Sequence, residues 1–173
     1  MRHLRRRGRY VRVADPHWAD PFDGRYSAQY GGRWNAPGSF PIVYLTRGRP
    51  GARAYVRRKF AGRPYGPELL APGEAPVLVE TELPDERYVD VVTDAGCQAV
   101  GLPKTYPVDA VGEPLPWTRC QPIGQRVWDA AELGIACRSA LGPAAGEELA
   151  WFDREGRARP PVRRRVPFDE WYW

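Results

Sequence analysis

Residues 30–46, YGGRWNAPGSFPIVYLT, leave the chain few conformational choices. Two glycine turns bracket an arginine, an indole and an amide, and a short apolar run follows at once. Glycine lets the backbone reverse and approach another group closely. The run Phe40–Thr46 is β-branched and aromatic and is bounded by turn residues, so it reads as a buried strand. Arg33, Trp34 and Asn35 sit where this loop meets the strand, just after the glycines Gly31 and Gly32. Arg33 can clamp a phosphate or carboxylate with two parallel bonds. Tyr44, near the strand's end, can stack on a flat ring or donate its hydroxyl. The plainer alternative is that Trp34 anchors the core and Arg33 pairs with an acid, since Trp is highly buried on average.

The rest of the chain reads as short elements. Tyr10–Ala14 alternates as a first strand, and RYSAQYGG is one helical turn ended by glycine. Residues 48–60 form a helix with Pro50 near its start, with Ala52, Tyr55, Val56 and Phe60 on one face and arginines opposite. Val77–Leu83 and the following RYVDVV read as two strands. Residues 94–122 are broken by prolines and read as loop. CQPIGQRVWDAAELG is a second helix, with Ile123, Val127, Ala130 and Ala131 as its core stripe. GIACRSA and GEELAWFD are short strands, and RRRVPFDEW closes the chain. No repeat or linker divides residues 1–173, so the expected fold class is a single α+β domain, mostly strands with two principal helices.

Several functional classes are disfavoured by what the chain lacks. It has two histidines, His3 and His17, and three cysteines, Cys97, Cys120 and Cys137, with no CxxC. A zinc site, a disulfide framework or a histidine triad is therefore not expected, and the thiols read as small buried groups. No apolar run reaches the ~18 residues of a membrane span. The basic start MRHLRRRGRYVRV lacks an apolar core, so it is not a secretory signal and a cytoplasmic location is expected. The net charge of +5 comes almost wholly from arginine. Such a bias is what a GC-rich genome alone produces; it also suits a polyanionic partner or a phosphate-bearing ligand, but no helix-turn-helix, zinc-finger or RNP pattern accompanies it, so nucleic acid is not the expected partner. The terminal FDEWYW either packs back on the core or offers an aromatic interface, for which a homodimer is one use.

GGRWNAPGSFPIVYL closely resembles the signature of the RES domain family, named for characteristic Arg, Glu and Ser residues. That signature runs Gly-Gly-Arg-Trp-Asn, then Pro-Gly, then an apolar strand ending Tyr-Leu-Ala. Arg12 fits the arginine of the family's opening strand. Residues 120–153 resemble the family's late helix, its serine segment and an apolar strand ending Phe-Asp. Ser139 stands in the serine place, with Arg138 before it where the family has proline. The resemblance spans residues 9–155. It implies a fold similar to ADP-ribosyltransferases of the diphtheria-toxin type, with mixed sheets and a few helices. It further implies the toxin half of a bacterial toxin–antitoxin pair, with an antitoxin carrying an Xre-type helix-turn-helix. The implied activity is cleavage of the nicotinamide–ribose bond of NAD+, with water, phosphate or a macromolecule as acceptor; NAD+ is then substrate, and no cofactor is required. Carried onto this chain, Arg33 binds an NAD+ phosphate, Tyr44 stacks near the nicotinamide and Ser139 helps hold the substrate. Arg12, Gly32, Trp34, Asn35 and Tyr55 complete the expected binding set.

One family residue has no counterpart. The glutamate belongs on the helix about three turns beyond Tyr44, but GRPGARAYVRRKF has no carboxylate, and Tyr55 lies near the expected place. Breaking the glycosidic bond builds positive charge on the ribose, and a carboxylate that stabilises it is worth about 3–4 kcal/mol. Three readings remain open. Another acid substitutes, with Glu68, Glu74, Glu80 and Glu82 as candidates; the domain binds NAD+ or another nucleotide, or a protein partner, without turnover; or the pocket runs a different reaction. Arg53, Arg57 and Arg58 would make such a pocket more cationic, unless they are simply the solvated face of the helix.

Overall fold

The computed structural model describes residues 1–71 and 73–173. Its strands are β1 (His3–Ala14), β2 (Ile42–Thr46), β3 (Val77–Val91), β4 (Gly134–Arg138), β5 (Glu147–Phe152) and β6 (Arg164–Val166). They form one sheet in the order β1-β2-β5-β4-β3-β6, and β1 pairs with β3 as well. The sheet therefore closes on itself: β1, β2, β5, β4 and β3 make a ring, and β6 lies outside against the start of β3. Pairing is antiparallel except between β3 and β4. A parallel pair needs a long crossover, and residues 92–133 supply it with α3 (Asp94–Val100) and α4 (Trp117–Asp129).

Closure sorts the side chains into an inside and two outer layers, because successive residues of a strand face opposite ways. Tyr10, Val43, Leu45, Val79, Leu83, Ala136, Leu149 and Trp151 fill the ring. On the outer wall of β2, β5 and β4, Ile42, Ala150, Phe152, Ile135 and Cys137 are covered by Trp34, Phe40, Tyr106 and the apolar faces of α3 and α4. On the outer wall of β1 and β3, Val11 and Leu78 pack under α2 (Arg49–Phe60), Val166 and α5 (Phe168–Trp171). Ala52 and Val56 form the buried stripe of α2, with Arg57 and Arg58 outward.

The structure departs from the sequence expectations in particular places. β1 begins at His3, so the arginine run belongs to a strand; Arg6 turns into the ring and meets Glu147 at 2.6 Å. The two strands expected from residue 77 onward are one strand, and the β1–β3 register shifts between Arg6 and Gly8. Residues 94–100, expected as loop, are helical because Thr93 caps them, accepting from the Gly96 amide at 3.0 Å. Helix α4 starts at Trp117, with Pro122 inside it, and ends before Ala130 and Ala131; these two are exposed and Ala131 has φ of 58°. Their place in the core stripe is taken by Cys120 and Gly124. Tyr55, expected on the buried face of α2, is 46% exposed. The aromatic tail packs back through Trp171, fully buried, and leaves Trp173 exposed. All three cysteines are buried and free.

Candidate functional site

The glycine-bracketed loop is held rigidly, and each bond that holds it can be named. Asn35 is fully buried; its amide donates to the Ser27 carbonyl at 2.7 Å and the Phe40 carbonyl at 2.9 Å. Ser27 lies on the one-and-a-half-turn helix α1 (Arg25–Tyr30), and its hydroxyl accepts from the Ile42 amide at 2.7 Å. The loop is thereby tied to a helix before it and a strand after it. Tyr44 adds a third tie. Its hydroxyl donates to Asn35 Oδ1 at 3.1 Å and accepts from the Trp34 amide at 3.0 Å. Burial pushes the Tyr44 phenol well above its ordinary pKa, with Trp34 and Arg33 opposing, so it stays a neutral hydroxyl. Gly32 is needed because a Cβ there would meet the Tyr44 hydroxyl at 2.5 Å. From α4, Gln121 donates to the Gly32 carbonyl at 3.0 Å and the Asn35 carbonyl at 3.3 Å.

This framework presents Arg33. The guanidinium is half-buried and makes one long hydrogen bond, 3.5 Å to the Leu115 carbonyl. It forms no ion pair among the described residues. Its positive charge opposes the burial that raises the pKa values of Tyr44, Tyr106, Cys120 and Cys137. Arg33 is thus a cation amid weakly polar, mostly buried groups, with donors to spare.

Ser139 stands on the same wall. Strand pairing sets Cys137 opposite Glu148, Tyr44 opposite Ala150 and Thr46 opposite Glu148. Tyr44, Cys137, Ser139 and Glu148 therefore share the outer face of the ring. The Ser139 hydroxyl donates to Glu148 Oε1 at 2.5 Å and accepts from the Leu141 amide at 3.1 Å. Burial raises the Glu148 carboxyl above its ordinary pKa; the Ser139 bond and the Arg33 charge oppose that shift. Tyr106 is 1% exposed and its hydroxyl has no partner, although Arg33 and Glu148 both act on it electrostatically. Alongside, a cleft of about 580 Å³ runs between α2 and the 140–145 turn, with Arg53, Arg57, Arg58, Ala140 and Leu141 in its walls.

Arg33, Tyr44 and Ser139 are thus brought onto one wall. Trp34 and Asn35 are fully buried and act behind it, Trp34 as a core anchor against Tyr106. Arg12 and Tyr55 are not joined to this group. Val11 pairs with Thr46, so Arg12 points to the opposite face of the sheet from Tyr44. Its guanidinium lies 5.3 Å from the Trp18 ring, Nη1 is buried without a partner, and burial holds its pKa down at about 10. Tyr55 is the first of the charged or polar groups that offset that shift. No hydrogen bond or ion pair links this second group to Arg33 or Tyr44 among the described residues. Of the candidate substitute acids, Glu68, Glu74 and Glu82 are exposed, and Glu80 is half-buried on β3, in register with Val11 and Arg164. The acid on the wall of Arg33 is instead Glu148, which the sequence reading passed over together with Tyr106 and Gln121. Period-two alternation in GEELAWFD shows that Glu147 and Glu148 face opposite ways; the pairing with β2 shows which faces Tyr44. Among the described residues, no His, Cys, Asp and Glu cluster is arranged to hold a metal ion, and no helix is long and apolar enough to cross a membrane.

Comparison with known proteins completes the description. A family model described as the RES domain matches residues 9–170. NAD(+) phosphorylase MbcT from Mycobacterium bovis is 30% identical over 143 residues, covering 82% of this chain and 70% of that protein. The protein of the same name from Mycobacterium tuberculosis (strain H37Rv) matches equally. A chain in the crystal structure of the M. tuberculosis MbcT–MbcA toxin–antitoxin complex superimposes with a TM-score of 0.78 at 23% identity, covering 98% of this chain and 91% of that one.

Proposed function

The chain belongs to the RES domain family, and on that premise we propose that it is a toxin-like enzyme that degrades NAD+. The C1′–N bond between ribose and nicotinamide breaks, and its electron pair leaves with the nicotinamide, which becomes neutral. An oxygen of inorganic phosphate then bonds to C1′, giving the phosphorylated ADP-ribose product; with water as acceptor, the products are ADP-ribose and a proton. Phosphate is the favoured acceptor because the relatives that share 82% of the chain are NAD(+) phosphorylases. The observation that carries the reading is the convergence of Arg33, Tyr44 and Ser139 on one wall, with the Arg33 donors almost wholly uncommitted. A guanidinium in that state suits a diphosphate, and the neighbouring cleft lined by Arg53, Arg57 and Arg58 suits a multiply charged ligand. Tyr44, Ser139 and Arg33 serve as the expected reaction-centre groups, with Gly32, Trp34 and Asn35 fixing their positions.

The closed sheet with short flanking helices fits the finer reading of an ADP-ribosyltransferase-like fold. An antitoxin partner belongs to the same reading, supported by the toxin–antitoxin complex that holds the structurally similar chain; its Xre helix-turn-helix type and a bacterial, cytoplasmic setting are carried by the family resemblance alone. A second reading is NAD+ binding without turnover, favoured by Tyr55 standing where the family has its glutamate. Nicotinamide release from NAD+, measured with and without phosphate, separates the two. Release that phosphate accelerates and Arg33→Ala abolishes is the expected result. Binding by calorimetry with no release makes the protein a binding module, and neither binding nor release refutes both readings.

A further inference from the structure

We propose that Glu148 is the carboxylate that stabilises the positive charge of the departing ribosyl–nicotinamide bond, supplied from a strand of the ring wall where α2 supplies none. The inference rests on the NAD+-cleaving reading and names the residue that would make it chemically competent.

Glu148 is less committed than Glu147, Asp153, Glu86 and Asp90, four other acids withdrawn from solvent. Glu147 is held by Arg6 at 2.6 and 2.7 Å, and Asp153 by Arg159 at 2.7 and 3.0 Å. Glu86 pairs with Arg157 at 2.5 Å. Asp90 accepts from the Val92 and Thr93 amides at 2.9 Å and from the Thr93 hydroxyl. These are structural pairs, and each is satisfied. Glu148 receives one bond, from Ser139 to Oε1. That serine has a single proton and already accepts from Leu141, so its orientation is fixed and Oε2 is left open. The side chain is half-buried, so it is reachable from outside.

Its position fits the charge it would meet. Tyr44 lies two residues from Thr46, the β2 partner of Glu148, and neighbouring same-face positions along a strand are roughly 7 Å apart. A flat cationic ring on Tyr44 would place its glycosidic bond over Glu148, with Arg33 beyond to take phosphate. Arg33 is close enough to counter the burial of Glu148 but makes no bond to it, so carboxylate and guanidinium stay apart as a negative and a positive subsite. The first turn of α2 leans on the same place. A Cβ on Gly51 would come within 2.9 Å of Thr46 Cβ. The helix that carries no carboxylate therefore covers the strand position beside one that does.

The charged and titratable groups facing Glu148 are Arg33 from the loop, Tyr44 from β2, Cys137 from β4 and Tyr106 from the segment after α3. The tyrosines and the cysteine remain neutral well above neutral pH. Glu148 is then the group whose ionisation sets the acid limb of the reaction: cleavage falls as pH drops through its raised pKa.

Glu148→Gln keeps an oxygen to accept the Ser139 bond and removes only the charge. The expected result is nicotinamide release lowered about 10²- to 10³-fold, with NAD+ affinity changed only a few-fold and the acid limb gone; Glu148→Asp restores part of the rate. A second measurement does not depend on turnover. Calorimetry should show wild type preferring NAD+ over NADH, because only the former carries the cationic ring, and Glu148→Gln should lose that preference. Release by Glu148→Gln within about threefold of wild type, with the limb intact, overturns the proposal and leaves NAD+ cleavage standing. If wild type binds NAD+ without cleaving it, the turnover reading fails, and the NAD+/NADH preference and its loss in the variant decide the role of Glu148. No binding by wild type overturns both.

Discussion

Replacing Gly124 by alanine sets two effects against each other. The residue lies inside α4, where alanine is about 1 kcal/mol more favourable than glycine. Yet α4 crosses the site loop so closely that the added methyl carbon would lie 1.7 Å from the Trp34 carbonyl oxygen and 2.7 Å from its carbon. Real contacts do not fall below 3.0 Å, so helix and loop must part by more than an ångström. Neither partner is a flexible side-chain end that can swing aside. Overpacking of this kind costs about 1–3 kcal/mol. The same parting also stretches the two bonds from Gln121 to the Gly32 and Asn35 carbonyls, each worth about 1 kcal/mol. With the helical gain subtracted, the net loss is about 3 kcal/mol. For a chain of this length that lowers Tm by about 6–12 °C. Thermal unfolding followed by circular dichroism measures it. The control is Gln125→Ala, on the exposed side of the same helix, which should stay within about 0.5 kcal/mol of wild type. A Tm for Gly124→Ala at or above that of wild type would refute the close crossing of α4 over the site loop.

Other perturbations follow from the same geometry. Tyr44→Phe strips the Trp34 amide and Asn35 Oδ1 of a partner, so it should cost about 1–3 kcal/mol in denaturant unfolding and lower nicotinamide release. Asn35→Asp sets a carboxylate against the Ser27 and Phe40 carbonyls, which now receive two N–H bonds; a loss of about 3 kcal/mol or more, or insoluble expression, is expected. Arg12→Met replaces a cation whose Nη1 is buried without a partner; Tm should rise, by about 2–4 °C for each kcal/mol recovered, while NAD+ affinity reports whether that guanidinium serves the ligand. For Glu148 the folded pKa is raised, so the fold favours the protonated acid. Its stabilising contribution is complete below the unfolded value and is lost as pH rises through the folded one. Glu148→Gln should therefore unfold at higher temperature than wild type at pH 7; the difference should narrow as pH falls through the raised folded pKa and be gone below the ordinary glutamate value of about 4.3.

Local signals were enough for much of this. Pro50 at a helix start, the Gly31 turn, the apolar run of β2 and the alternation of β3 each depend on neighbours a few residues away. The site loop was legible for the same reason: Arg33, Trp34, Asn35 and Tyr44 lie within twelve residues of one another. The sequence was less informative wherever the answer depends on sheet closure. Arg12 looks like a partner for Arg33 until the Val11–Thr46 pairing turns it to the other face. Glu148 looks like one of two equivalent acids until pairing with β2 and β4 sends Glu147 inward to Arg6 and Glu148 outward to Ser139. Tyr106 sits in a proline-broken stretch with no periodicity, and only the packing of Trp34 against it reveals that its hydroxyl is enclosed. Trp117, which composition would send to the core, is half exposed because α4 begins there and turns its first residue outward.

The ring of strands has one thin joint. β2 and β5 meet over five residue pairs and β1 and β3 over eleven, whereas β1 and β2 meet at Val11 and Thr46 alone. A closed sheet opens where it has the fewest bonds, and that place is the edge of the strand that carries Tyr44. In hydrogen exchange, the Thr46 and Val11 amides should trade with solvent early, while the β2–β5 ladder, carrying Glu148, stays protected. Breathing at this joint would part β1 from β2 without moving Tyr44 relative to Glu148.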